Sequence, residues 1–125
     1  MNHPAEKKFT ISGRLRSFVF AFKGLRFVIR SQHNFLIHLV IAFIVVFAGL
    51  ACRLNGTEWC MIVLAMSLVF SMEVMNTAIE NLVDLVSPGH HEQAGMVKDI
   101  AAGAVLIAAV SSVIVGLIIF IPKML

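Results

Sequence analysis

The sequence predicts an all-α membrane protein, with three transmembrane helices preceded by an amphipathic helix on the membrane surface. Three observations predict it. The 125-residue chain is 59% hydrophobic and only 14% charged, with a mean hydropathy of +0.93, whereas a soluble domain carries about 25% charged residues. Three apolar stretches each reach the roughly 20 residues that cross a bilayer as a helix. The charges are also segregated. Seven of the ten Lys/Arg residues fall between Lys7 and Arg30, and five of the seven acids between Glu73 and Asp99. The length fits one domain, residues 14–125, behind a polar tail at residues 1–13 that is expected to be mobile.

The elements follow in order. From Arg14 to Arg30, Leu15, Phe18, Phe22, Leu25 and Ile29 recur at helical spacing while Arg16, Lys23 and Arg30 share one flank. That pattern suits a helix lying among headgroups. Its cations stand directly before an apolar stretch, so an anionic lipid surface explains them, and nucleic acid is not an expected partner. Lys23 and Arg26 interrupt the first apolar run and no small-residue cleavage site follows, which argues against a cleaved signal peptide.

The first span is expected at about 34–52 and carries no charge. Arg53, Asn55, Gly56 and Thr57 form a polar turn, with a helix start at Thr57-Glu58 and Trp59 at the membrane interface. The second span runs over 58–86 and stops at Ser87-Pro88-Gly89. The third runs over 92–121, ahead of Pro122, and its first half is rich in Ala and Gly, which let membrane helices approach closely. Cys52 and Cys60 flank the first turn without metal-like spacing and read as free packing thiols. The cation bias puts the N terminus and the 84–99 connection in the cytoplasm, and the C terminus outside.

The informative segment lies in the second span. Glu73, Asn76, Thr77, Glu80 and Asp84 fall within one stripe about 100° wide on a helix. Ionisable groups inside a membrane helix are expensive and face a partner or a wet cavity. Two sources of positive charge fit three such acids. One is Mg²⁺, which takes hard oxygen ligands and usually substrate phosphates. The other is Lys98, which the short connection returns to the level of Glu80 and Asp84. Asn34 and His38, four apart, are expected to pair with each other or with another helix, and His90 and His91 to be solvated. Neither a P-loop nor a Gly-rich kinase loop is present. The residues alone therefore support an acidic, metal-binding site at the cytoplasmic face, and a proton-coupled transporter built on Glu73 fits them nearly as well as an enzyme does.

Specific wording adds to this. Lys23-Gly24-Leu25, Asn34-Phe35, the block E-V-M-N-T-A-I-E-N-L-V-D from Glu73 to Asp84, S-P-G-H-H from Ser87, and K-D-I-A-A-G-A-V-L from Lys98 closely resemble the prokaryotic diacylglycerol kinase and undecaprenol kinase family. The resemblance covers about residues 14–121. It implies a homotrimer in the bacterial inner membrane that uses ATP and Mg²⁺ to phosphorylate a lipid alcohol, and the wording S-P-G-H and N-F-x-I-H lies nearer the undecaprenol branch. By the same resemblance Glu73 is the general base and Glu80 a metal ligand. Asn76, Glu80, Asp84, Gly89, His90, His91, Lys98 and Asp99 line the nucleotide site, and Lys23, Glu73 and Ala102 meet the lipid substrate. One departure stands out. Gln32 occupies the place of a second metal-ligand glutamate, and an amide brings no charge there, so a non-catalytic relative is a further alternative.

Overall fold

The computed structural model describes residues 8–125. Four helices follow one another: α1 (Ile11–Ser31), α2 (His33–Ala51), α3 (Gly56–Val86) and α4 (Glu92–Met124). Three of them, α2, α3 and α4, are long and apolar enough to cross a membrane. This is the architecture that composition and hydropathy predict. Residues 1–7 of the expected tail lie outside the described residues.

Two helix starts and one helix end differ from the sequence pattern. Helix α1 begins at Ile11, ahead of the first periodic apolar position, because Thr10 caps it and accepts from the Gly13 N–H at 3.1 Å. Helix α3 begins at Gly56, before Thr57. Asn55 accepts from the Glu58 N–H, and the Glu58 carboxylate accepts from the Asn55 N–H, both at 2.9 Å. This capping box satisfies two otherwise free backbone donors. Helix α4 passes through Pro122 to Met124. Proline removes one backbone hydrogen bond, but so near the end of a helix little of the ladder remains to be lost, and Lys123 is held to Glu58 at 3.2 Å.

Helix α3 is the axis of the fold. It packs most closely on α4 and also touches α2 and α1, whereas among the described residues α2 and α4 do not approach each other. Small residues permit the α3–α4 approach, with Ala101 and Ala108 of α4 buried and the Ser112 hydroxyl donating to the Ala65 carbonyl at 3.0 Å. The α2–α3 turn is tight. The Leu54 N–H reaches the Gly49 carbonyl and the Arg53 N–H the Leu50 carbonyl, with Arg53 at φ 54°. This is a Schellman ending in which a non-glycine residue takes the left-handed position. Leu54, Ile62 and Ile119 form the buried core at this end. Trp59, expected at a lipid interface, packs across Gly49, where a Cβ would stand 2.7 Å from the indole. Cys52 and Cys60 are free thiols.

Most large apolar side chains, including Phe18 and Phe22 of α1, Phe43 and Phe47 of α2 and Ile107 and Ile118 of α4, are exposed on the single chain. A surface this apolar matches a hydrocarbon solvent rather than water.

Candidate active site

The second half of α3 gathers the polar groups. Glu73 is 3% exposed and Thr77 2%, and they are the buried polar residues of the chain among those described. The Thr77 hydroxyl donates to the Glu73 carbonyl at 2.9 Å, and the Asn81 amide donates to the Thr77 carbonyl at 2.7 Å. Both bonds turn side chains back along the helix, so α3 satisfies part of its own polar stripe. One turn further on, the Asn76 amide donates to Glu80 Oε1 at 3.1 Å. The other atom of that amide, Asn76 Oδ1, is buried and has no partner among the described residues.

The carboxylate of Glu73 meets α2. Its Oε1 lies 3.2 Å from His38 Nε2. A turn earlier on each helix, Phe35 packs against Phe70 with ring centroids 5.2 Å apart. His38 thus pairs across helices rather than with Asn34. It is the residue that the sequence reading left out of the site. An i, i+4 rule covers one helix only and cannot locate a partner some 35 positions along the chain; the one available signal was a titratable residue inside an otherwise uncharged span.

The α3–α4 turn forms a separate pocket of about 290 Å³, lined by Asp84, Gly89, His90, His91 and Lys98 together with Val83, Ser87, Pro88, Ala94 and Gly95. Lys98 and Asp84 form an ion pair inside it, so the connection does return Lys98 to the level of Asp84. His90 and His91 are exposed, as are Asp99 and Ala102. Asp99 lies beside the pocket rather than on its wall. Lys23 is exposed on α1, with its ammonium 5.7 Å from the centroid of the Phe20 ring. Gln32 sits at the joint between α1 and α2. Its backbone N–H bonds the Val28 carbonyl at 2.9 Å, while its side chain caps neither helix and remains available for other contacts.

Five of the expected nucleotide residues therefore share one pocket, and Asn76 and Glu80 pair one to two turns along the same helix. Lys23, Gln32 and Ala102 lie on other elements. Among the described residues no three His, Cys, Asp or Glu side chains are arranged to hold a metal ion.

Comparison with known proteins covers nearly the whole of this architecture. The family model described as prokaryotic diacylglycerol kinase matches residues 19–120. The undecaprenol kinase of Bacillus subtilis is 44% identical over 109 residues, which is 87% of this chain and 89% of that protein. A diacylglycerol kinase of Synechocystis is 39% identical over 89% of this chain and 64% of its own length. The diacylglycerol kinase of Escherichia coli K12 is 30% identical over 76% of this chain and 78% of its own.

Proposed function

The chain belongs to the prokaryotic diacylglycerol kinase family and is a lipid kinase, and from that premise we propose that it transfers the γ-phosphate of Mg-ATP to a membrane-embedded alcohol at the cytoplasmic face of a bacterial inner membrane, with undecaprenol preferred over diacylglycerol. The observation that carries the reading is the placement of a buried carboxylate, Glu73, on the same helix face as the Asp84–Lys98 pocket. A base for a lipid hydroxyl and a seat for a soluble nucleotide then stand on one rigid element. The preference for undecaprenol rests on the wording of the sequence and on the 44% identity to the Bacillus subtilis protein.

The roles follow from the chemistry. Glu73 takes the proton of the alcohol. The alcohol oxygen bonds the γ-phosphorus, the bond from that phosphorus to the β–γ bridging oxygen breaks, and ADP leaves with its electron pair. Phosphoryl transfer asks a protein mostly for position and charge stabilisation. Lys98 supplies positive charge in the pocket, with Gly89, His90 and His91 on its turn and Asp84 and Asp99 beside it. The donor set suits Mg²⁺: a Glu80 carboxylate, a buried Asn76 Oδ1 that lacks a partner and the free amide of Gln32 are all hard oxygens, and substrate phosphates usually complete such a shell. The cation would neutralise charge developing on the phosphates. Lys23 and Ala102 meet the lipid side of the site.

A homotrimer fits the same observations. Copies packed side by side would cover apolar faces that a lone chain exposes and would bring further ligands to a metal set that one chain leaves incomplete. The test is direct. Purified protein in mixed micelles receives labelled ATP with undecaprenol or with diacylglycerol, with and without EDTA, beside Glu73→Gln. Labelled lipid should form with wild type and Mg²⁺, faster on undecaprenol. It should vanish with EDTA and fall by about 10²–10⁴ with Glu73→Gln. Faster labelling of diacylglycerol would overturn the substrate preference, and full turnover by Glu73→Gln would overturn the base.

A further inference from the structure

We propose that His38 is a positioning residue for the phosphoryl transfer, its Nε2–H holding one oxygen of the Glu73 carboxylate so that the other is left to receive the proton of the lipid alcohol. The inference rests on Glu73 acting as the base. Its foundation is the 3.2 Å approach of His38 Nε2 to Glu73 Oε1, made between two helices at the most deeply buried acid among the described residues.

Three observations single out this contact. A buried carboxylate needs a partner, since an isolated one is strongly disfavoured. Among the described residues no cationic or histidine side chain other than His38 lies within ion-pair distance of Glu73, and Lys98 and Lys123 are held by Asp84 and Glu58. Thr77, one turn away, directs its hydroxyl to the backbone carbonyl of Glu73 and not to the carboxylate. The orientation of the Glu73 side chain therefore falls to His38.

The pair is also placed for use. His38 lines one end of an apolar groove of about 230 Å³ that opens between α2 and α4 over α3, together with Ile41, Phe70, Val69 and Ala109. Its own side chain remains 24% exposed. A histidine that only satisfied a core acid would need no such opening. The Phe35–Phe70 contact holds α2 against α3 beside it, so the imidazole approaches from a fixed helix. A carboxylate gripped at one oxygen presents the second in a set direction, which is what a base requires at the moment the alcohol oxygen attacks phosphorus.

Steady-state kinetics with Mg-ATP and with undecaprenol or diacylglycerol in mixed micelles test this, using H38M, H38Q, E73Q and the double variant H38M/E73Q. Met and Gln fill similar volumes, but only Gln donates a hydrogen bond. H38M should lower kcat about tenfold or more and leave the KM for ATP within about twofold. H38Q should recover part of that loss. Adding H38M to E73Q should cost nothing further, because His38 acts through Glu73. Thermal unfolding checks that each variant is folded, and H38A takes the place of H38M should that protein not fold. Wild-type kcat in H38M, or an equal additional loss in the E73Q background, overturns the proposal. The two readings fail differently: full turnover by E73Q removes Glu73 as base, whereas an inactive E73Q beside a fully active H38M removes His38 alone.

Discussion

The two ends of α3 are built for opposite purposes. At its first turn the capping groups have partners within a few residues or on the neighbouring helix: Asn55 and Glu58 cap each other, Glu58 also holds Lys123, and the Arg53 and Leu54 N–H groups close the end of α2. Leu54, Trp59, Ile62 and Ile119 fill the space between. At the other end the polar groups outnumber their partners. Among the described residues Asn76 Oδ1 is buried and unmatched, Glu80 is bonded only by a neighbouring amide, and Asp84 and Lys98 face a pocket. Satisfied groups make an anchor, and unsatisfied ones make a place where something else binds. A single helix does both because its two halves differ in which neighbours they have.

Substitutions at the two ends should separate stability from activity. The largest effect is expected from Glu80→Gln. In the proposed site Glu80 would hold Mg²⁺, whose charge stabilisation of the transferring phosphoryl group is worth several kcal/mol. Labelled-lipid formation should therefore fall at least about a hundredfold, a loss of roughly 2.7 kcal/mol or more, with the unfolding midpoint unchanged. A lowered midpoint would mean that this end, too, is structural. Gly49→Val comes next. Its Cβ would enter the space of the Trp59 indole, and such overpacking costs about 1–3 kcal/mol. Thermal unfolding in detergent should show the loss, while kcat per folded protein should hold. Lost turnover in fully folded Gly49→Val would erase the contrast between the ends. Asn55→Ala should be the mildest, at about 0.5–2 kcal/mol for a lost N-cap, again visible in unfolding and silent in kinetics.

The sequence discloses much of this, and the limits have physical causes. Hydropathy locates α2, α3 and α4 because the bilayer imposes both length and apolarity on any spanning helix. The stripe from Glu73 to Asp84 is legible because a helix has a fixed period, and the return of Lys98 to Asp84 follows from a short connection. Asn55 was legible as well. Its spacing to Glu58 is that of a capping box, but Thr57 beside Glu58 drew the start two residues late. Other features depend on tertiary contact. The approach of His38 to Glu73, and the use of Trp59 to fill the notch at Gly49, require knowing which faces of α2 and α3 meet. No local pattern encodes that.

The length of α3 carries a last consequence. At 1.5 Å per residue its 31 residues make a rod about 46 Å long, against a hydrocarbon layer about 30 Å thick. Measured from Glu58 at one margin of the oil, Glu73 lies about 22 Å along, Glu80 about 33 Å and Asp84 about 39 Å. The rod is thus a depth gauge: with Glu58 set at one margin and the helix upright, Glu73 would read within the oil, Glu80 at the shoreline and Asp84 in open water. Two reactants that share no common solvent need not be carried to one another. In the proposed reaction each would arrive from its own phase, and a phosphoryl group would pass directly between them where the two meet on this helix.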